Sequence, residues 1–342
     1  MVSSPFSDTR INLSHGGGGR AMARLIDNLF IKHFANPWLE QRSDNAVFVP
    51  PPGRLVVSTD SHVVSPLFFP GGDIGSLAVH GTLNDVAMSG ARPLYLTAAF
   101  IIEEGFAYQT LEQIVISMAA AASQAGTPII TGDTKVVERG KADGVFITTT
   151  GIGVVAEGVD ISSERAVPGA AVLLSGSIGD HGMAIMASRE QLKFASDIVS
   201  DSAALHDLIA SMVAVAPAAI RCLRDPTRGG IAAALNELAQ QSGVGMLLNE
   251  AAIPVKASVR AACEILGLDP LYVANEGKLL CICAADAAEP LLQVMRNHPL
   301  GREAAMIGQV VEDPGHYVEM TTDFGGRRIV DWPLGEQLPR IC

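Results

Sequence analysis

VAEGVDISSERAVPGA, residues 155–170, divides the chain. It is rich in small, acidic and turn-forming residues and holds no sustained apolar period. A strand-then-helix rhythm runs up to it and restarts after it. Upstream, RLVVSTD (54–60) reads as a strand ending in an acid, and GGDIGS (71–76) sets Asp73 as the N-cap of a helix reaching about Ser89. LYLTAAFII (94–102) reads as a strand, and residues 110–125 as a helix closed by Gly126. TPIITGDTKVV and GVFITTTGIGVV are strand-like and joined by the turn ERGKADG (138–144). Downstream, AVLLSG (171–176) is a strand, DHGMAIMASREQL (180–192) starts a helix, and DPTRGG (225–230) precedes another. VGMLLNE, KLLCICAA and AAMIGQVVE are later strands.

The expected fold is therefore mixed α/β (α+β) in two domains, over 1–155 and 156–332. PLGEQLPRIC (333–342) has two prolines, a glycine and few apolar anchors, and reads as a flexible tail. Ten extended residues reach roughly 33 Å. Cys342 at its tip can thus visit a site on its own protomer or on another protein.

Of 342 residues, 48% are apolar and 5% aromatic, so the core is built mainly from aliphatic side chains. The net charge of −12, with no basic run, argues against nucleic acid as a partner. MVSSPFSDTR (1–10) lacks the basic start and apolar stretch of an export signal, and no apolar stretch is long enough for a membrane. The expectation is a soluble cytoplasmic protein. Five cysteines, an odd number, argue against a disulfide framework. Cys281 and Cys283 alternate onto one strand face and read as core.

Four carboxylates sit where chemistry is plausible: Asp60 at a strand end, Asp85 inside the apolar helix TLNDVAM (82–88), Asp133 in TGDTKV (131–136) and Asp225 before a glycine pair. A carboxylate among apolar neighbours is costly unless paired or metal-bound. Each also reads as a cap or turn residue; together they suit Mg²⁺ ions that hold nucleotide phosphates. HGGGG (15–19) precedes a helical pattern through Met22, Leu25, Ile26, Leu29 and Phe34. Its exposed N–H groups, like those of DPTRGG, can hold anionic oxygen or form a plain turn. Neither is a P-loop. Asp133 and Lys135, two apart on a strand, share a face. Glu276 in ANEGKLL (274–280) is a proton acceptor or a turn carboxylate. His15 and His181 stand beside glycine motifs, as nucleotide contacts or as structural residues. An exposed terminal thiol at Cys342 is a liability unless used. Its carboxylate neighbour raises its pKa and Arg340 lowers it.

PRIC at the terminus, GDTKVV, DPTRGG, ANEGK, PLFFPGGDIG and HGGGG together resemble the HypE family of hydrogenase maturation factors, from about Ile11 to Cys342. The resemblance implies the fold of the aminoimidazole ribonucleotide synthetase, selenophosphate synthetase and thiamine-monophosphate kinase superfamily. There an N-terminal domain pairs with its twin in a homodimer and ATP lies between domains near that interface. It implies ATP-dependent dehydration of an S-carbamoyl group on Cys342 to a thiocyanate. A carbamoyltransferase, HypF, loads the thiol, and a HypC–HypD complex receives the cyanide for iron. It further implies Cys342, Lys135 and Glu276 as catalytic, and Asp60, Asp85, Asp133 and Asp225 as metal-binding. Nucleotide contacts are implied at His15, Gly16, Gly17, Gly18, Gly19, Asn84, Asp133, Thr134, Arg228, Gly229 and Gly230.

Two alternatives make different predictions. An ATP-using enzyme acting on a free small molecule would keep turnover without Cys342. A carrier without catalysis would show no carbamoyl-dependent ATP hydrolysis.

Overall fold

A computed structural model describes residues 9–190, 197–335 and 338–342. Residues 1–8, most of the start that reads as leader-free, lie outside them, as do 191–192 of the DHGMAIMASREQL run and 336–337 of the tail. Among the described residues no helix is long and apolar enough to cross a membrane.

The chain opens with α1 (Arg20–Leu25), a π-helical turn over Ile26–Ile31 and α2 (Lys32–Phe34). There follow β1 (Arg54–His62), the short strands β2 (Phe68–Phe69) and β3 (Gly72–Asp73), α3 (Ile74–Ala87), β4 (Arg92–Glu103), α4 (Tyr108–Gln124), β5 (Ile129–Val137) and β6 (Val145–Val155). Four of these strands form one sheet in the order β1-β6-β4-β5. β4 and β5 are parallel across the α4 crossover, and β6 inserts antiparallel between β1 and β4. The turn ERGKADG thus joins two strands that are not neighbours. Asp60 and Asp133, expected at strand ends, lie inside β1 and β5.

The second half contains β7 (Ala171–Leu174), α5 (Asp180–Arg189), α6 (His206–Val215), β8 (Ile220–Arg224), α7 (Gly230–Ser242), β9 (Gly245–Asn249), α8 (Ala257–Leu266), β10 (Leu280–Cys283), α9 (Ala288–Asn297), β11 (Ala305–Val311), β12 (Val318–Thr321) and β13 (Arg327–Ile329). Its seven strands run β13-β12-β9-β11-β7-β10-β8. Cys281 and Cys283 are buried in β10, as their alternation predicts.

Helix α3 joins the halves. Asp73 accepts from Gly75 N and Ser76 N, and Ser76 Oγ accepts from Asp73 N, a reciprocal box that fixes the helix start. One side packs on the four-stranded sheet through Leu77 and Leu83 beside Leu96 and Ile147. The other, through Val86 and Ala87, meets Leu208 and Met212 of α6. Cover on both sides explains why the helix is apolar nearly all round. It also leaves its few polar residues, Asn84 and Asp85 among them, at the domain junction.

The tail has more anchors than its composition suggests. Leu338 and Ile341 are buried in the same core as Leu77, Ile114 and Met183. The expectation of few apolar anchors is corrected accordingly.

Candidate active site at the domain junction

Where β1, α3, the DPTRGG turn, the ANEGK turn and the tail meet, one group of side chains converges. Asp60 lies on the helix side of β1, and Asp85 on α3 accepts a 2.8 Å hydrogen bond from Ser58 Oγ of the same strand. Gly81, one turn before Asp85, keeps space open. A methyl there would sit 3.8 Å from both Asp60 Oδ2 and Glu276 Oε2, and 3.0 Å from His62 Cε1. Glu276 is only 3% exposed, and among the described residues its Oε1 has no hydrogen-bond partner.

The charges act on one another. Burial, then Asp85, pushes the Asp225 carboxyl up to about 7. Burial raises Asp85 as well, with Ser58 opposing and Asp60 adding. Glu276 is raised well above the carboxylate range, first by burial and then by Asp225, Asp201, Asp60 and Asp85. Arg224 opposes the rise of Asp85 and Asp225 but does not cancel it, and such net mutual repulsion is typical of a site built for a ligand.

Cys342 enters this group. Arg228 donates to its Sγ at 3.3 Å. Burial, then Glu276, pushes the thiol up to about 11, while Arg228 opposes. Arg340, expected to lower that thiol, points elsewhere, donating to Val63 O and Asp143.

Not every expected residue joins. Asp60 pairs with Thr149, Thr149 with Ala98, and Ala98 with Gly132. Asp133 is thus displaced by three strands, roughly 14 Å, and by side-chain alternation faces away from α3. It pairs with Lys135 at 2.8 Å on that exposed face. Asp133 is therefore not a fourth ligand beside Asp60, Asp85 and Asp225 of its own chain. Lys135 and Glu276, expected to act on one proton, are likewise separated within the chain.

HGGGG lies at this same far edge. A methyl on Gly16 would meet Val136 N at 2.7 Å, which explains the glycine. Gly17, Gly18 and Gly19 are exposed, and Gly19 caps α1. His15 is fully buried and its Nδ1 accepts from Asn12 N, so it serves as a capping residue here. Thr134 is buried and lines a cavity of about 370 Å³ with Phe30, Phe34, Trp38, Ala98 and Gly132. That cavity holds none of the four junction carboxylates.

Two further residues expected at the nucleotide have structural partners within the chain. Asn84 is 1% exposed, and its amide is fully engaged. Nδ2 donates to Ala203 O and Glu276 O, and Oδ1 accepts from Leu205 N. It fastens loops together, with both Nδ2 protons committed. Gly230 donates its N–H to Thr227 O and packs under Leu271, so it offers phosphate nothing. Gly229 has φ +80° and caps α7, a conformation that explains the glycine.

Sequence reasoning missed the residues that aim Glu276. Asp201, its side chain 4% exposed, accepts from Glu276 N, Gly277 N and Lys278 Nζ. Asn275 donates to Pro226 O and accepts from Gly179 N, tying ANEGK to DPTRGG. The flanking Asn275 and Lys278 of ANEGK were the available signal; Asp201 carried none.

Among the described residues no three His, Cys, Asp or Glu side chains close into a cage for a metal ion. The donor set still fits Mg²⁺, which keeps waters and binds through one or two carboxylates and substrate phosphates. The repulsion raising Asp85 and Asp225 is what such a cation would relieve.

Comparison with known proteins gives the same picture. Residues 42–155 match the N-terminal domain, and 167–321 the C-terminal domain, of the AIR synthase related proteins. Carbamoyl dehydratase HypE of Azotobacter vinelandii is 66% identical over 97% of this chain and 97% of its own length. A crystal structure of the hydrogenase maturation protein HypE in complex with ATP superimposes with a TM-score of 0.93 at 51% identity, covering 97% of this chain and 99% of that one. HypE in a HypE–HypF complex superimposes at 0.80 with 50% identity, covering 90% and 99%. By sequence over nearly its whole length and by fold, the chain belongs to the HypE family of carbamoyl dehydratases.

Proposed function

We propose that this chain uses ATP to dehydrate a carbamoyl group carried on its own Cys342, giving a thiocyanate that supplies cyanide for hydrogenase maturation. One observation carries the reading: a terminal thiol is seated beside a buried carboxylate, Glu276, whose Oε1 has no partner among the described residues. A carbamoyl group on Sγ brings N–H donors to that oxygen.

The carbamoyl oxygen attacks the γ-phosphorus of ATP, and ADP leaves. The oxygen, now bound to phosphorus, can depart as phosphate. The O-phosphorylated group is a protonated imidate with two N–H protons; it gives the first to solvent, and Glu276 takes the second as the C–O bond breaks and phosphate leaves, giving S–C≡N. Its raised proton affinity makes it an effective acceptor once ionised. Arg228, at the sulfur, is placed to offset negative charge on the departing oxygen. Asp60, Asp85 and Asp225 would hold Mg²⁺, which supplies charge neutralisation at the phosphates.

The opposite edge of the sheet takes part through a second copy. Leu55, Val57 and Ile101 are exposed on the face away from α3, an apolar surface suited to pairing in a homodimer. Such pairing would carry Asp133 and Lys135 of one copy toward the junction of the other. A HypF-type carbamoyltransferase would load Cys342, and a HypC–HypD pair would accept the cyanide. Five free thiols are consistent with a cytoplasmic setting.

The test is carbamoyl-dependent ATP hydrolysis by wild type and Cys342→Ala. The reading expects the variant to bind ATP normally and lose coupled hydrolysis. Undiminished turnover would instead favour phosphorylation of a free small molecule.

A further inference from the structure

The end of the tail is held mainly through its backbone, by residues outside the reacting group. Val63 N donates to Cys342 O at 3.1 Å and Ser65 N to Arg340 O at 3.2 Å, extending β1 toward the tail. Helix α5 lies along the other side. His181, fully buried, lies 2.8 Å from Ile341 O through Nε2. A carbonyl only accepts, so Nε2 carries the proton and Nδ1 accepts from Ser200 Oγ at 2.8 Å. At the far end of α5, Arg189 Nη1 donates to Pro339 O at 2.9 Å and Nη2 to Arg340 O at 3.0 Å. The same guanidinium donates to Ser65 O through Nε at 3.1 Å and Nη2 at 2.6 Å.

The carbonyls of 339, 340, 341 and 342 are therefore all engaged, and Arg189 binds both the tail and the segment it rests on. Leu338 and Ile341 add buried apolar contact on the tail's own side. The Cys342 side chain, by contrast, has its hydrogen bond only to Arg228.

We infer that Arg189, with His181, is a positioning clasp that sets how long Cys342 stays docked, and so divides the cycle between loading and dehydration. This rests on the function proposed above. Loading needs a thiol that a partner enzyme can reach and that can ionise, and the docked thiol, pushed up to about 11, is a poor nucleophile. Dehydration needs the same group held still beside Glu276. Among the described residues the hydrogen bonds of Arg189 go to Ser65 O, Pro339 O, Arg340 O and Met186 Sδ, not to Cys342 Sγ or Glu276, so it acts through the tail. Its planar fork reaches three carbonyls through three separate nitrogens, a spread that lysine's single ammonium nitrogen does not offer.

The test uses the full-length protein. Alkylation of Cys342 by iodoacetamide is followed on the C-terminal peptide. Single-turnover dehydration of pre-carbamoylated protein at saturating ATP, and ATP affinity, are measured beside it. For Arg189→Ala the clasp predicts alkylation faster by about tenfold and dehydration slower by a similar factor, since several hydrogen bonds from a charged donor are lost. ATP affinity stays unchanged, and Arg189→Lys falls between. Opposite movement of the two rates is the signature, because simple misfolding would not slow chemistry while sparing ATP binding. Leu338→Ala loosens the tail with the clasp intact and should give the same split. Alkylation at the wild-type rate in both variants, or faster alkylation with dehydration undiminished, overturns the clasp. If wild type dehydrates nothing yet the alkylation difference holds, the clasp stands and the proposed chemistry falls.

Discussion

The two edges of the four-stranded sheet carry similar residue types and do different things. At the β1 edge, Asp60 meets Asp85, Asp225 and Glu276, and the carboxyls of the last three are raised by burial and by one another. At the β5 edge, Asp133 is exposed and lowered, mainly by its hydrogen bond to Lys135. The first edge is covered by a second domain and a tail, and its carboxylates repel one another more than Ser58 and Arg224 offset. The second is open to solvent and already paired. The first arrangement is one a bound cation would relieve, and the second is already satisfied within the chain.

The comparison can be broken most forcefully at Glu276. Glu276→Gln should lower single-turnover dehydration by about 10²–10⁴-fold, the usual contribution of a positioned base, with ATP binding and tail docking retained. Near-normal rates would remove Glu276 from the chemistry. Asp85→Asn should abolish ATP turnover and raise the melting temperature of the ligand-free protein, because one of four repelling carboxylates is gone. Calorimetry without nucleotide or metal reads that sign, and a marked fall would contradict the repulsion.

The β5 edge predicts a mixed-dimer result. Lys135→Ala should leave stability within about 0.5 kcal/mol, since its ion pair is exposed, yet should impair turnover. Mixing Lys135→Ala with Asp85→Asn chains should restore activity, because one junction per mixed dimer then has intact acids and an intact lysine from the other copy. No recovery in verified mixed dimers would place both functions within one chain.

A smaller effect is expected with pH. The docked thiol's value of about 11 lies above its ordinary 9.0. Docking of the neutral thiol is thus fully favoured below 9.0 and weakens as pH rises toward 11. The groups facing it are Glu276 and Asp60, which raise it, and Arg228, which lowers it. Between those values, alkylation of Cys342 should climb more steeply with pH than alkylation of a free cysteine. A parallel climb would show that docking does not sense the thiol's charge.

Local chemistry was legible in the sequence. Asp73 reads as a cap because its partners, Gly75 and Ser76, are its immediate neighbours. Asp60, Asp85, Asp225 and Glu276 could be picked out because acids stand oddly among apolar runs. Asn84 stood out for the same reason: it too is polar within a buried helix. Its partners, Ala203, Leu205 and Glu276, come from distant loops that no local pattern reveals. Asp133 was displaced by strand order, since alternation gives a side chain's face but not which edge that strand occupies. The tail looked anchor-poor because its carbonyls do much of the docking, and a carbonyl leaves no mark on composition.

The central claim is most directly tested by mass spectrometry of the C-terminal peptide after incubation with a HypF-type carbamoyltransferase, its carbamoyl donor and ATP. A carbamoyl adduct on Cys342 that loses one water only with hydrolysable ATP is the predicted result. An adduct on any other cysteine, or water loss without ATP hydrolysis, would contradict the account.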